Sequence, residues 1–114
     1  MKKIAKRISQ KVFELNDEQR ATAHVTAVMV NNFTNYLFTA ADEILEKENL
    51  PFDLLRPLIL ETAHKVQSAN PKEMQTGPAA RGDEATIERH LQFLEKYPDL
   101  KPVYELLTER ILKE

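Results

Sequence analysis

Six polar side chains form a cluster within a largely apolar stretch: His24, Asn31, Asn32, Thr34, Asn35 and Thr39. Asparagine suits a helix interior poorly, because its amide competes for backbone hydrogen bonds. Asn35 follows Asn31 by four residues and Asn32 by three, so in a helix the three amides project from neighbouring faces. A buried amide without a partner costs roughly 1–3 kcal/mol. Two readings follow, and the residues leave both open. The amides bond to the backbone or side chains of adjacent helices, or at least one of them faces a cleft and holds a ligand carbonyl or hydroxyl. His24 lies eight residues before Asn32, two turns away on a similar face. It is the candidate catalytic base, although a lone helical histidine is more often structural.

A second constellation follows the helices: Gln75-Thr76-Gly77-Pro78-Ala79-Ala80-Arg81-Gly82-Asp83, with Thr86 and His90 beyond it. Read as structure, it is a turn that caps a helix, with Arg81 and Asp83 pairing at the surface for under about 1 kcal/mol. Read as function, it is an ordered loop over a cleft that offers Arg81 to an anion. Thr76, Gly77, Arg81, Asp83 and His90 are its candidate residues. His90 lies seven residues after Asp83 on the same helical face, where a structural hydrogen bond is the simplest role. The tripeptide Arg81-Gly82-Asp83 matches an adhesion motif by chance.

Other chemistries lack their residues. There is no cysteine, so disulfides, cysteine zinc sites and cysteine nucleophiles are excluded. His24, His64 and His90 are far apart, and none has a second ligand at the helical spacing of known zinc motifs. No serine stands in a nucleophile elbow, and no Gly-rich phosphate loop is present. A net charge of −2 with dispersed basic residues predicts no nucleic-acid partner.

The elements that would position these residues are helical. Over residues 2–15, Ile4, Ile8, Val12 and Leu15 recur at helical spacing opposite Lys3, Lys6, Arg7 and Gln10. Asn16 with Gln19 reads as a capping box, and Asp17 and Glu18 suit the positive end of the next helix. That helix should run over about 17–47, which contains neither Gly nor Pro, for roughly 45 Å. Ala23, Val25, Ala27, Val28, Met29, Val30, Phe33, Tyr36, Leu37 and Phe38 point all around it, which predicts burial on every side. Asn49-Leu50-Pro51 breaks it. Pro51 suits the first turn of the following helix, and Pro57 predicts a kink or an overlapping restart. Periodicity stops over 68–83. Asp83 caps a helix with a buried stripe of Ile87, Leu91 and Leu94, widened by Phe93. Asp99 caps a last helix, with Pro102 in its first turn and Leu100, Val103, Leu107 and Ile111 facing in.

The expectation is therefore an all-α fold of about five helices packed around one long, buried central helix, in a single domain over 1–114. The 114 residues contain no apolar run long enough to span a membrane, and the basic start has no signal-peptide core behind it. No membrane association and a cytoplasmic location are expected. Four shorter helices would not easily cover so apolar a central helix, so a second copy is expected to close it as a homodimer.

Taken in order, Glu18-Gln19-Arg20, His24, Val30-Asn31-Asn32-Phe33-Thr34-Asn35-Tyr36-Leu37, Pro57-Leu58-Ile59 and the 75–83 loop with Thr86 and His90 resemble a known domain. It is the C-terminal helical domain, itself of unknown function, of a family of predicted Rossmann-like NAD(P)-dependent oxidoreductases. That domain is similar to the C-terminal domains of 6-phosphogluconate dehydrogenase, hydroxyacid dehydrogenases and ketopantoate reductase. The resemblance covers about residues 4–112. It implies an N-terminal Rossmann domain, absent from these 114 residues, an NAD(P) cofactor held there, and a helical domain that supplies the substrate side of the cleft and the dimer interface. It also implies that Asn32 binds substrate. Relatives often carry a lysine four residues before that asparagine, where this chain has Val28. A lysine-assisted proton transfer therefore does not carry over, and His24 is the conceivable substitute.

Three functions stand against one another. The first is a substrate-side and dimerisation domain of an NAD(P)-dependent oxidoreductase, acting on an unknown small molecule, without catalysis or bound cofactor by itself. The second is a free-standing helical module that dimerises or binds a ligand or partner. The third, an enzyme using His24 or His90 as base, lacks a second titrating group at a matching spacing.

Overall fold

The computed structural model describes residues 14–114. The fold is all-α, with no strand among the described residues. The amphipathic segment expected over 2–15 lies almost wholly outside them. The chain falls into two compact units, one ending at Phe52 and one spanning Asp53–Glu114.

The described part of the first unit is a helical rod. Helix α1 (Asp17–Ala27) starts on the expected capping box. The Gln19 amide donates to Asn16 Oδ1 at 2.8 Å, and the Asn16 amide donates to Gln19 Oε1 at 3.0 Å, so two otherwise orphaned donors are satisfied reciprocally. The chain then passes through six residues of π-helix, Val28–Phe33, and continues as helix α2 (Thr34–Lys47). The rod ends without glycine. Asn49 takes a left-handed φ of 61°. The Leu50 amide reaches the Leu45 carbonyl at 2.8 Å and the Asn49 amide reaches Glu46 at 3.2 Å, the paired bonds of a Schellman cap.

The rod is not buried as expected. Ala40 is its one buried residue among those described, and Val30 is 75% exposed and Phe33 60%. Val25, Met29, Tyr36 and Leu37 are exposed as well. A helix that is apolar all round needs neighbours on every side. The described part of its own unit consists of the rod and the turn that ends it, so no second helix is supplied there.

At the boundary between the units Pro51 precedes a 3-10 turn at Phe52–Leu54 rather than opening an α-helix. Helix α3 (Arg56–Val66) starts afresh with Pro57 in its first turn, where a missing amide donor costs nothing. Of the kink and the restart, the chain adopts the restart. A 3-10 turn, Pro71–Met74, leads to the short helix α4 (Pro78–Arg81), then helix α5 (Glu84–Phe93), a 3-10 turn at Leu94–Lys96 and helix α6 (Lys101–Lys113). Helix α4 packs against α5 and α6, and α5 against α6. Their small core centres on Ala79 and Leu94, both buried. Ile87 and Leu91 extend the stripe half-buried, and Phe93 stands at its edge. Asp99 does not cap α6. The N-cap residue is Leu100, without a side-chain hydrogen bond. The amides of Leu100 and Lys101 both donate to the Tyr97 carbonyl, at 2.9 and 3.1 Å. This backbone turn encloses Asp99 and satisfies the first donors itself, and Pro102 removes another.

Candidate functional site

The π-helical segment decides how the first constellation is presented. Its i→i+5 bonding widens the turn and rotates α2 relative to a continuous α-helix, and such segments recur at functional sites. Asn31 and Asn32 lie inside it and Asn35 just beyond. The threonines are satisfied within the rod. Thr34 donates to the Met29 carbonyl at 3.5 Å, five residues back, and Thr39 donates to Asn35 at 3.2 Å. Asn32 and Asn35 are exposed, and among the described residues neither side chain meets a hydrogen-bond partner. His24 is exposed in the last turn of α1.

The second constellation is tightly constructed. Gly77 is the N-cap of α4 at φ 99°, and Gly82 is its C-cap at φ 67°. A Cβ at either position would meet nothing within 4 Å, so backbone conformation rather than space calls for glycine. The Asp83 amide donates to the Pro78 carbonyl at 2.8 Å and closes the turn. Asp83 then caps α5 as expected. Its Oδ1 accepts from the Thr86 amide at 3.1 Å and its Oδ2 from the Thr86 hydroxyl at 2.7 Å. Arg81 Nη2 lies 3.5 Å from the same Oδ2, and Arg89 Nη2 donates to Thr86 Oγ1 at 2.9 Å. The Thr86 hydroxyl and amide, with help from Arg81, hold the Asp83 carboxyl below its ordinary range, against the opposing effect of burial.

His90 is tied to α6. Its Nδ1 stands 2.7 Å from the Tyr104 hydroxyl, a hydrogen bond whose proton belongs to ring or hydroxyl according to the imidazole tautomer. The two rings meet edge to face at 5.8 Å. Burial raises the Tyr104 pKa above its usual value, and a hydrogen bond with Thr108 works in the other direction.

The candidates thus divide between the units: His24, Asn32 and Asn35 on the rod, and Thr76, Gly77, Arg81, Asp83 and His90 in the second unit. Thr76 and Gln75 also edge an open groove of about 450 Å³ in the second unit, whose apolar walls are Leu58, Val66, Pro71 and Met74. Sequence reasoning missed Arg89 and Tyr104. The spacing Asp83-x-x-Thr86-x-x-Arg89 could have found the first, since residues three apart on a helix are neighbours. Tyr104 is fourteen residues from His90, and no local signal joins them.

Comparison with known proteins gives these groups a setting. The chain is similar to a protein whose crystal structure carries the name "putative NADP oxidoreductase BF3122 from Bacteroides fragilis". The two share 46% identity with a TM-score of 0.85, over 90% of this chain and 39% of that one. The chain therefore spans well under half the length of that relative. No curated protein matches it. The family described as Domain of unknown function (DUF2520) matches residues 1–111, and this chain belongs to it.

Proposed function

We propose that the chain is the substrate-side and dimerisation domain of a longer NAD(P)-dependent oxidoreductase, and that it does not catalyse alone. In this reading His24, Asn32 and Asn35 are the substrate-facing residues of the first unit, Thr76 and Arg81 are those of the second, and the rest of the protein is a Rossmann domain. Its location is the cytoplasm, which agrees with a chain free of cysteine. Among the described residues no helix is long and apolar enough to cross a membrane.

The cofactor belongs to the other part of the protein. Both glycines of this chain serve as positive-φ caps of one four-residue helix. A dinucleotide phosphate loop needs a glycine-rich turn between a strand and a helix, and the described residues form no strand. The residues here do not fit that group, and no hydride step is assigned to them.

The observation that carries the reading is the exposed apolar rod. Val25, Met29, Val30, Phe33, Tyr36 and Leu37 would stand in water on one stretch of helix, which marks an interaction surface. Similarity to 39% of a longer relative supports the rest. The test is sedimentation of the chain and of Phe33→Asp. Phe33 is 60% exposed, so the substitution should leave the fold intact. A wild-type dimer, with association weakened at least about 100-fold in the variant, supports a second copy on the rod. A wild type that is monomeric at micromolar concentration removes the dimerisation half of the proposal.

A further inference from the structure

The two arginines around Thr86 differ from ordinary surface cations. Arg89 donates to a neutral hydroxyl, and among the described residues neither Glu84 nor Glu88 pairs with it or with Arg81. Arg81 has one charged neighbour, Asp83 at 3.5 Å, and both oxygens of that carboxylate already accept from Thr86. Two guanidinium groups are thus brought onto one hydroxyl–carboxylate node with a single negative charge between them. Arg81 is 61% exposed and fixed behind the left-handed Gly82, so its backbone position is set while its head stays open to solvent.

We infer that Arg81 and Arg89 form a seat for a doubly charged oxyanion of the phosphate class, with Asp83 holding Arg81 until the ligand arrives. The guanidinium fork matches phosphate geometry, and a dianion answers both charges where a monocarboxylate answers one. The donors are side chains. The helix N-terminus of α5 takes no part, because Asp83 already occupies it. The inference names a substrate class for the loop and rests on the reading of that loop as a ligand-facing wall. It is independent of dimerisation, so the sedimentation result and the one below can fail separately.

The experiment is a titration of the chain with inorganic phosphate at pH 7.5, followed by the amides of residues 81–86 and the arginine side-chain N–H groups in nitrogen-15 NMR. Acetate and chloride at matched ionic strength are the other arms. Saturable shifts with phosphate in the millimolar range are expected, about tenfold weaker in Arg81→Gln and in Arg89→Gln, and absent with chloride. Asp83→Asn keeps an oxygen for the Thr86 amide and removes the competing charge. It should tighten binding about two- to fivefold. The spectrum of each variant reports its folding. Equal shifts with chloride, acetate binding as tightly as phosphate, unchanged affinity in folded arginine variants, or weaker binding in a folded Asp83→Asn would each overturn the inference.

Discussion

Leu94→Ala tests whether the second unit has the core described for it. Leu94 is 8% exposed, the one large apolar side chain among the described residues that is buried. Replacement by alanine removes three carbons. At about 0.8 kcal/mol for each buried methylene this costs about 2.4 kcal/mol. An unrelaxed void on the order of 50 Å³ would add about 1.2 kcal/mol. Ile87 and Leu91 beside it are only half-buried, so the site can partly collapse, and the expected loss is about 2.5 kcal/mol. In so small a unit this lowers the Tm by about 10–20 °C. Thermal and denaturant melts followed by circular dichroism measure it. Leu106→Ala is the control, since Leu106 is 59% exposed and should cost under about 1 kcal/mol. Equal losses in the two variants would refute the placement of the core at Leu94.

Three further outcomes follow from named contacts. Asn16→Ala should destabilise α1 by about 1 kcal/mol and speed exchange of the Gln19 amide, whereas Asn16→Asp should retain both. Tyr104→Phe should cost about 1 kcal/mol in chemical denaturation, through the lost His90 bond. In the wild type the Tyr104 phenol should titrate above pH 10 by ultraviolet absorbance, because burial favours its neutral form. A raised folded pKa means that this stabilisation is full below the unfolded value near pH 10 and is lost as pH rises through the folded one. Asp83 has the opposite sign. Its folded pKa is depressed, so its contribution is full above the unfolded value near pH 4 and is lost as pH falls through the folded one. Carboxyl carbon-13 NMR should show the low titration, and Asp83→Asn should flatten the acid limb of stability.

What was legible in the sequence was mostly local. The Asn16–Gln19 box, the Asp83 cap and the break at Asn49 each depend on residues within a few positions, so type and spacing suffice. Pro57 announced a discontinuity, and its place in the first turn of α3 follows from the missing amide donor. The failures were of two kinds. Asp99 looked like a cap, but the Tyr97 carbonyl met the first donors of α6 from the backbone, which side-chain spacing does not reveal. The π-helix at Val28–Phe33 was invisible because no glycine or proline marks it. It also gives His24 and Asn32 a relative facing different from that of an unbroken α-helix.

The burial of the rod is the most instructive discrepancy. Apolar residues all round a helix state that water must be excluded, and they do not state by what. The sequence reading supplied the cover from the chain's own shorter helices and a second copy. In the single chain Val25, Met29, Val30, Phe33, Tyr36 and Leu37 remain exposed. At about 25 cal/mol for each Å² of apolar surface, leaving several such side chains in water forgoes several kcal/mol. The same stretch holds Asn32 and Asn35, exposed and without protein partners among the described residues. An interface that was apolar throughout would bury those amides at a cost of roughly 1–3 kcal/mol each if they stayed unpaired. The proposed cover must therefore offer apolar contact to Val30 and Phe33 and hydrogen-bonding groups or solvent to Asn32 and Asn35. A second copy around the aromatic side chains, with a polar ligand or open cleft at the amides, meets both demands. Under that arrangement Phe33→Asp should abolish association, whereas Asn32→Ala should leave association intact and alter only ligand binding.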